Sequence, residues 1–86
     1  MKVSFFNQAV FNSFYEWTIK DKKVAKKIAA LIRDIERNPA AGIGKSEPLK
    51  YRYAGFYSRK ITQEHRLVYK IIDDSIVIIS CEGHYE

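Results

Sequence analysis

The chain has 86 residues, of which 47% are hydrophobic and 14% aromatic, and its formal net charge is +5 at pH 7. This length predicts one domain over residues 1–86, and the apolar content excludes a disordered chain. The positive charge favours an anionic partner, such as nucleic acid, a ribonucleoprotein, an acidic protein segment or a membrane surface, without choosing among them.

Cysteine and histidine are too few to indicate a disulfide or a metal site. The single cysteine, Cys81, cannot form an internal disulfide, which indicates a reducing compartment. It falls in an apolar run, where a thiol acts as a small hydrophobe rather than as a nucleophile. Its spacing from the two histidines matches no zinc pattern. Because no apolar run approaches a membrane span and no signal peptide is recognisable, we expect a soluble, cytoplasmic protein.

The first half of the chain predicts a strand and two helices. Lys2 to Phe6 is a short apolar strand, and Asn7 is suited to cap the helix that follows it. Asp21 is suited to cap a second helix from Lys22 to Arg37, which ends before Pro39. Apolar residues recur at helical spacing in both helices and predict stripes that face a core. They are Val10, Phe11, Phe14 and Trp17 in the first helix, and Val24, Ile28, Leu31, Ile32 and Ile35 in the second.

The first turns of the second helix are strongly basic. They carry Lys22, Lys23, Lys26 and Lys27. Cations near a helix N-terminus oppose the helix macrodipole, so their placement has an energetic cost. The ordinary interpretation is a solvated basic face, and the alternative is a surface that binds a large polyanion. The sequence leaves both interpretations open.

The second half of the chain predicts a loop followed by strands. Residues 39–48 contain two prolines and two glycines, which indicates a loop, and their spacing does not match a phosphate-binding P-loop. Strands are then predicted over Leu49 to Tyr53, Tyr57 to Thr62, His65 to Ile72 and Ile76 to Cys81. The whole pattern predicts an α+β fold, in which an antiparallel sheet carries the two N-terminal helices on one face. Its other face is expected to be open to water or to a ligand.

The central hairpin places cations on the face away from the helices. Leu67, Tyr69 and Ile71 share one face of the second strand, whereas Lys60 and Arg66 are expected to lie near each other on the opposite face. Like charges opposite each other on a sheet are destabilising unless both extend into water or an anion lies between them. The hairpin alone favours the solvated alternative.

Two further polar residues of this hairpin have structural interpretations. Strand parity places Arg59 on the core face, so we expect it to project at an edge of the sheet. His65 lies in the predicted turn beside Glu64, and we assign it a structural or surface role.

A scattered set of polar residues contains the parts needed to cleave RNA through its own 2′-hydroxyl. That reaction needs a base for the 2′-hydroxyl proton, cations for the phosphorane and an acid for the leaving 5′-oxygen. No spacing proves that these residues converge, and Glu47 alone is better interpreted as a solvated loop acid. The set comprises Glu47, Lys50, Lys60, Arg66, His84 and Tyr85.

Three strings in the second half resemble one family. They are Gly-Lys-Ser-Glu-Pro-Leu-Lys at residues 44–50, Gly-Phe-Tyr-Ser-Arg-Lys-Ile-Thr-Gln-Glu-His-Arg-Leu-Val-Tyr at 55–69, and His84-Tyr85. Together they resemble the YoeB (Txe/YoeB) toxins, which belong to the RelE superfamily of bacterial toxin–antitoxin modules. The resemblance extends over essentially the whole chain, and its longer strings are specific.

The resemblance implies a microbial-ribonuclease-like fold and a ribosome-dependent mRNA interferase, which cuts mRNA in the ribosomal A site and inhibits translation. Glu47 matches the general base, His84 the general acid, and Arg66 the residue that stabilises the transition-state phosphate. Lys50 and Lys60 match phosphate-binding residues. Tyr85 matches the residue that stacks on the substrate base. The implied products are a cyclic 2′,3′-phosphate and a 5′-hydroxyl, and neither a metal nor another cofactor is needed.

Three positions depart from the family pattern. Lys60 stands where an arginine is common, and a lysine cannot hold a phosphate through a bidentate fork. Glu82 replaces a residue that is often basic, and its charge is expected to raise the pKa of His84 and to repel RNA. Glu86 extends past the tyrosine that usually ends the chain. These changes bear on the rate more than on the class of reaction.

The resemblance also implies partners. They are an acidic antitoxin of the YefM (Phd/YefM) type, the ribosome with its mRNA, operator DNA contacted only through the antitoxin and, for some relatives, a second copy of the toxin. No membrane partner is implied. Two rival functions stay open: a degenerate toxin that binds antitoxin and ribosome without cleaving, and a basic RNA-binding protein that does not depend on the ribosome.

Overall fold

The described parts of the chain, residues 1–38, 47–48 and 55–83 of a computed structural model, form a sheet and two helices. The predicted strand over Leu49 to Tyr53 lies outside them. In these described residues, neither helix has the length and hydrophobicity that a membrane span requires. The elements are β1 (Lys2–Phe5), α1 (Gln8–Lys20), α2 (Lys22–Arg37), β2 (Glu47–Pro48), β3 (Phe56–Lys60), β4 (Arg66–Ile72) and β5 (Ser75–Ser80).

Both helices begin at the residues predicted to cap them. The side chain of Asn7 accepts a hydrogen bond of 3.0 Å from the backbone N–H of Val10. The carboxylate of Asp21 accepts bonds of 3.1 and 3.4 Å from the N–H groups of Lys23 and Val24. These side chains satisfy N–H groups that have no partner within the helix, so short polar residues fix where each helix starts.

The sheet has the strand order β1-β5-β4-β3-β2. The predicted α+β class is confirmed, but the sheet is mixed rather than wholly antiparallel, because β1 runs parallel to β5. Phe6 N–H extends this pairing with a hydrogen bond of 2.8 Å to the carbonyl of Ile78. No short turn joins β1 to β5, since both helices and three strands separate them in sequence. Their relative direction was therefore not fixed by any local pattern.

The core lies between the helices and one face of the sheet. Its α1 contribution is smaller than predicted: Trp17 is buried and Val10 and Phe14 pack partly against the core, but Phe11 is 44% exposed. Phe11 packs edge to face on Phe5 of β1, with ring centroids 5.5 Å apart. Among the described strands β1 is the outermost, and none lies beyond it to cover Phe11. Other core residues are Ile28, Leu31, Ile35, Leu67, Tyr69, Ile76 and Ile78.

The sheet face opposite the helices is closed at its centre, which corrects the prediction of an open face. Ser58 and Val68 are each 1% exposed, and Arg66 is 9% exposed. β3 and β4 are interior strands, flanked by β2 and β5. On this face the Arg66 side chain lies against Ser58, to which its Nε donates a hydrogen bond. Lys60, the last residue of β3, keeps an exposed side chain.

Arg59 is fully buried, so the prediction that it projects at a sheet edge is wrong. Its guanidinium forms an ion pair with the carboxylate of Asp34 and also donates to the carbonyl of Asn38. Its Nε donates a third hydrogen bond, of 3.3 Å, to the hydroxyl of Tyr69. Strand parity was right about the core face, but the end of α2 supplies acceptors there, so the charge is paired inside.

Candidate functional site

Lys60 and Arg66 are direct partners across β3 and β4, which confirms that these two cations lie together. Their environments differ, because Lys60 is exposed while Arg66 is 9% exposed. An exposed ammonium is screened by water, so their repulsion is weaker than that of two buried charges. The pair therefore combines one exposed cation with one largely buried cation.

The guanidinium of Arg66 is held by the neighbouring strand. Its Nε donates a hydrogen bond of 2.9 Å to Oγ of Ser58, which is 1% exposed. A guanidinium is always charged and presents its donors in a fixed plane. Once oriented in a site largely shielded from water, it is a preorganised partner for a phosphate-like anion. Sequence reasoning missed Ser58, although its alternation with Lys60 placed both on one face.

Glu47 begins the short edge strand β2, and its backbone pairs with Ser58 of β3, while Pro48 pairs with Tyr57. The prediction placed Glu47 in a loop, and the correction is a strand of two residues. A proline is compatible with such a strand because an edge position leaves its missing N–H without consequence. The backbone of the predicted base thus lies one strand from Ser58 and two strands from Arg66.

The chain after β5 returns to the start of β4. The carbonyl of Gly83 accepts a hydrogen bond of 2.9 Å from the backbone N–H of Arg66. The N–H of Gly83 donates a bond of 3.0 Å to Nδ1 of His65. Gly83 adopts φ +78°, which is open to glycine and unfavourable for most other residues. The residue before His84 is therefore attached through both of its backbone polar groups.

Four predicted site residues lie wholly or partly outside what the structure describes. Glu47 is described through its backbone alone, and Lys50, His84 and Tyr85 lie outside the described residues. The structure therefore brings together Lys60, Arg66, the backbone of Glu47 and the attachment point of His84. The roles assigned to their side chains stay predictions.

His65 has a specific structural role. Its half-buried ring packs edge to face on Trp17, with centroids 5.0 Å apart and an interplanar angle of 73°. The indole Nε1 of Trp17 in turn donates a hydrogen bond of 3.0 Å to the carbonyl of Cys81. The two rings thus hold the chain on both sides of Glu82. No local signal could reveal this, because the contacts join residues far apart in sequence.

Cys81 and Glu82 are tied to α1 rather than directed at Arg66. Cys81 is 1% exposed, and burial raises the pKa of its thiol, as does the Glu82 charge, while the hydrogen bond to Ser13 lowers it. The Ser13 hydroxyl donates a bond of 2.9 Å to the Glu82 carboxylate. Cys81 is therefore a protonated core residue, as predicted. The expected rise in the pKa of His84 caused by Glu82 stays a prediction, because His84 lies outside the described residues.

Comparison with known proteins points to one family. The family model for the YoeB-like toxin of bacterial type II toxin–antitoxin system matches residues 6–85. Among curated proteins, Toxin YoeB of Escherichia coli strain K12 is 49% identical over 75 residues, which cover 87% of this chain and 89% of that protein.

Solved structures agree with the sequence match. The YoeB/ParE toxin from Agrobacterium tumefaciens has a TM-score of 0.94 at 39% identity, and the match covers 99% of this chain and 100% of that one. The YoeB–YefM complex from Staphylococcus aureus matches with a TM-score of 0.89 at 43% identity. The YoeB dimer from the same organism matches with a TM-score of 0.90 at 45% identity. Each of the two matches covers 99% of this chain and 98% of the other.

Proposed function

The chain belongs to the YoeB-like toxin family of bacterial type II toxin–antitoxin systems, and we propose that it is a ribosome-dependent mRNA endoribonuclease. In this proposal it enters the ribosomal A site in the cytoplasm, cuts the mRNA there and stops translation. The observation that carries the proposal is the oriented, largely buried guanidinium of Arg66, which donates to Ser58. The backbone of Glu47 pairs with Ser58, and the carbonyl of Gly83 accepts from the backbone N–H of Arg66.

The proposed reaction is an internal transesterification of RNA. Glu47 accepts the proton of the 2′-hydroxyl, and the 2′-oxygen attacks the adjacent phosphorus. His84 donates a proton to the departing 5′-oxygen as its bond to phosphorus breaks. The products are a cyclic 2′,3′-phosphate and a 5′-hydroxyl. The reaction needs no metal or other cofactor, because acid, base and cation all come from side chains.

Arg66 supplies the stabilisation of the transition state. Negative charge builds on the phosphate oxygens as the fifth bond to phosphorus forms. A positive group already in place lowers the free energy of this transition state. The low exposure of Arg66 and its bond to Ser58 support this role, since water screens the interaction less and little reorientation is needed. Substituting such a donor in other enzymes costs roughly a hundredfold or more in rate.

Substrate binding is assigned to residues around this centre. The exposed Lys60, beside Arg66 on the sheet, fits a residue that contacts RNA phosphates as a point charge. Lys50 is proposed to share that task, and Tyr85 to stack on the substrate base. The net charge of +5 favours approach to a large polyanion such as the ribosome.

The proposed regulatory partner is an acidic antitoxin of the YefM type. The complex from Staphylococcus aureus pairs a YoeB with a YefM, and a basic chain suits such a partner because complementary charge speeds association. We propose that the complex contacts operator DNA through the antitoxin. The YoeB dimer from that organism supports a second copy of this chain as a further partner.

Primer extension on a defined mRNA, with and without programmed ribosomes, tests the function. A cut within the A-site codon that needs ribosomes and disappears in Arg66→Ala and His84→Ala is the expected result. Lys2→Ala, which removes an exposed cation of β1, is the matched control and should cleave normally. Equal cleavage of naked RNA would mean a free ribonuclease. An inactive wild type that still binds its antitoxin would mean a degenerate toxin.

A further inference from the structure

His65 is held in a fixed place by the bend between β3 and β4. Its backbone N–H donates a hydrogen bond of 3.1 Å to Oγ1 of Thr62. Its carbonyl accepts bonds from the N–H groups of Ile61 and Thr62, at 2.9 and 3.1 Å. Both backbone polar groups of His65 are therefore hydrogen-bonded within the bend, which fixes the position of its Cα and so the origin of its side chain.

The orientation of the His65 ring is set by the core. The ring packs edge to face on Trp17, which is 7% exposed, and such pairs prefer this geometry to a face-to-face contact. Trp17 is itself fixed through its hydrogen bond to the carbonyl of Cys81. The imidazole thus contacts Trp17 of α1 on one side and Gly83, which follows β5, on the other.

The contact with Gly83 defines which nitrogen of His65 carries the proton. Gly83 N–H donates to Nδ1 across 3.0 Å, so Nδ1 must present a lone pair and the hydrogen of the neutral ring resides on Nε2. An imidazolium has donors at both nitrogens and cannot make this bond. The ring therefore acts as an acceptor for the backbone rather than as a proton donor to it.

From this geometry we propose that His65 is a positioning residue for RNA cleavage. It accepts the N–H of Gly83, and the next residue, Arg66, donates to the carbonyl of Gly83. Two consecutive residues, His65 and Arg66, thereby hold both peptide groups of Gly83, the residue that precedes His84. The inference rests on the proposed function, in which His84 protonates the leaving oxygen. Anchoring the residue before an acid limits the volume that the acid explores and raises its effective concentration at the reacting bond.

Two substitutions separate the acceptor from the ring. His65→Asn keeps an acceptor, because Oδ1 of asparagine takes the position of Nδ1, but it loses most of the ring that packs on Trp17. His65→Phe keeps a ring of similar shape and loses the acceptor. We expect His65→Phe to lower the kcat of ribosome-dependent cleavage about tenfold or more, with KM for programmed ribosomes unchanged. His65→Asn should stay within about threefold of wild type. Equal losses in both variants, or full kcat in His65→Phe, would overturn the proposal.

A second measurement reports the anchor without any cleavage. Amide hydrogen exchange of Gly83, followed by NMR on the whole chain, should accelerate in His65→Phe and stay slow in His65→Asn. The shifts of the wild-type imidazole nitrogens should show a proton on Nε2 and none on Nδ1. The dispersion of the remaining amide signals identifies any variant that has failed to fold.

The two measurements distinguish failure of this inference from failure of the proposed function. Unchanged exchange of Gly83 in a folded His65→Phe would overturn the anchor while leaving ribonuclease activity intact. A wild type with a protected Gly83 amide but no cleavage on programmed ribosomes would overturn the proposed function, and with it the catalytic part of the His65 proposal.

Discussion

Ser58 Oγ accepts a hydrogen bond of 2.9 Å from Nε of Arg66, and this links the cation of the candidate site to the strand beside it. Both residues are buried, and the backbone of Glu47 pairs with Ser58 from the other side. Ser58 on β3 thus contacts β2 through its backbone pairing with Glu47 and β4 through its side-chain bond to Arg66. Its role is to orient Arg66, which is a different requirement from supplying charge.

Ser58→Ala should slow cleavage while retaining the fold. Arg66 keeps its charge but loses an acceptor, so its orientation becomes less defined, and we expect kcat to fall roughly tenfold. The free energy of unfolding should fall by about 1 kcal/mol, the usual contribution of such a hydrogen bond. Single-turnover cleavage and urea unfolding measure the two effects. Ser4→Ala on β1, an exposed serine, is the control. Normal cleavage by Ser58→Ala would show that Arg66 needs no such support.

Lys60→Arg should improve substrate binding. Lys60 is exposed and stands directly opposite Arg66, where an arginine fork can contact two phosphate oxygens at once. We expect KM for programmed ribosomes to fall severalfold with kcat little changed, and Lys60→Ala to raise KM. Lys2→Arg, at an exposed position of β1, controls for a general preference for arginine. A loss of activity in Lys60→Arg would indicate that the added donors repel or displace Arg66 rather than help it.

Features set by neighbouring residues were predicted correctly from the sequence. Asn7 and Asp21 were identified as caps because a short polar side chain at a helix start satisfies N–H groups a few residues away. Lys60 and Arg66 were paired correctly because strand parity and a short bend fix which residues of a hairpin face each other.

Features that depend on distant residues were not predicted. Arg59 lies in the core because Asp34 reaches it from α2, and no spacing in the sequence reveals that pair. His65 holds Gly83 because the chain returns to β4 after β5, which is a consequence of the whole topology. The same applies to the parallel direction of β1. The individual roles of the predicted catalytic residues came from the family resemblance, because no spacing showed that these scattered residues converge.

Cys81 should be unreactive in the folded protein. Its burial and raised pKa both keep the thiol protonated at neutral pH, so alkylation by iodoacetamide should be at least about tenfold slower than for an unfolded chain. The rate is measured by quenching samples at successive times and determining the alkylated fraction by intact-protein mass spectrometry. Rapid alkylation under native conditions would mean that the chain around Cys81 opens easily.

The same group makes stability depend on alkaline pH. The pKa of Cys81 is higher in the folded chain than its ordinary value of 9.0, so the unfolded chain loses this proton first as pH rises. The contribution of the thiol is fully present below pH 9 and is lost as pH rises through the folded pKa. The free energy of unfolding in urea should therefore fall between pH 7 and 10 in the wild type, and this fall should be absent in Cys81→Ala. An identical fall in both proteins would assign it to other groups.

The buried pair of Arg59 and Asp34 should be costly to break on one side. Asp34→Ala removes the carboxylate that pairs with a guanidinium buried in the core, so the free energy of unfolding should fall by about 3 kcal/mol or more. Replacing both partners, as Arg59→Met with Asp34→Leu, removes the charge as well and should recover much of that loss. Urea unfolding of the single and double variants measures the difference. A double variant less stable than Asp34→Ala would show that the bonds of Arg59 to Asn38 and Tyr69, rather than the ion pair, join β3 to the end of α2.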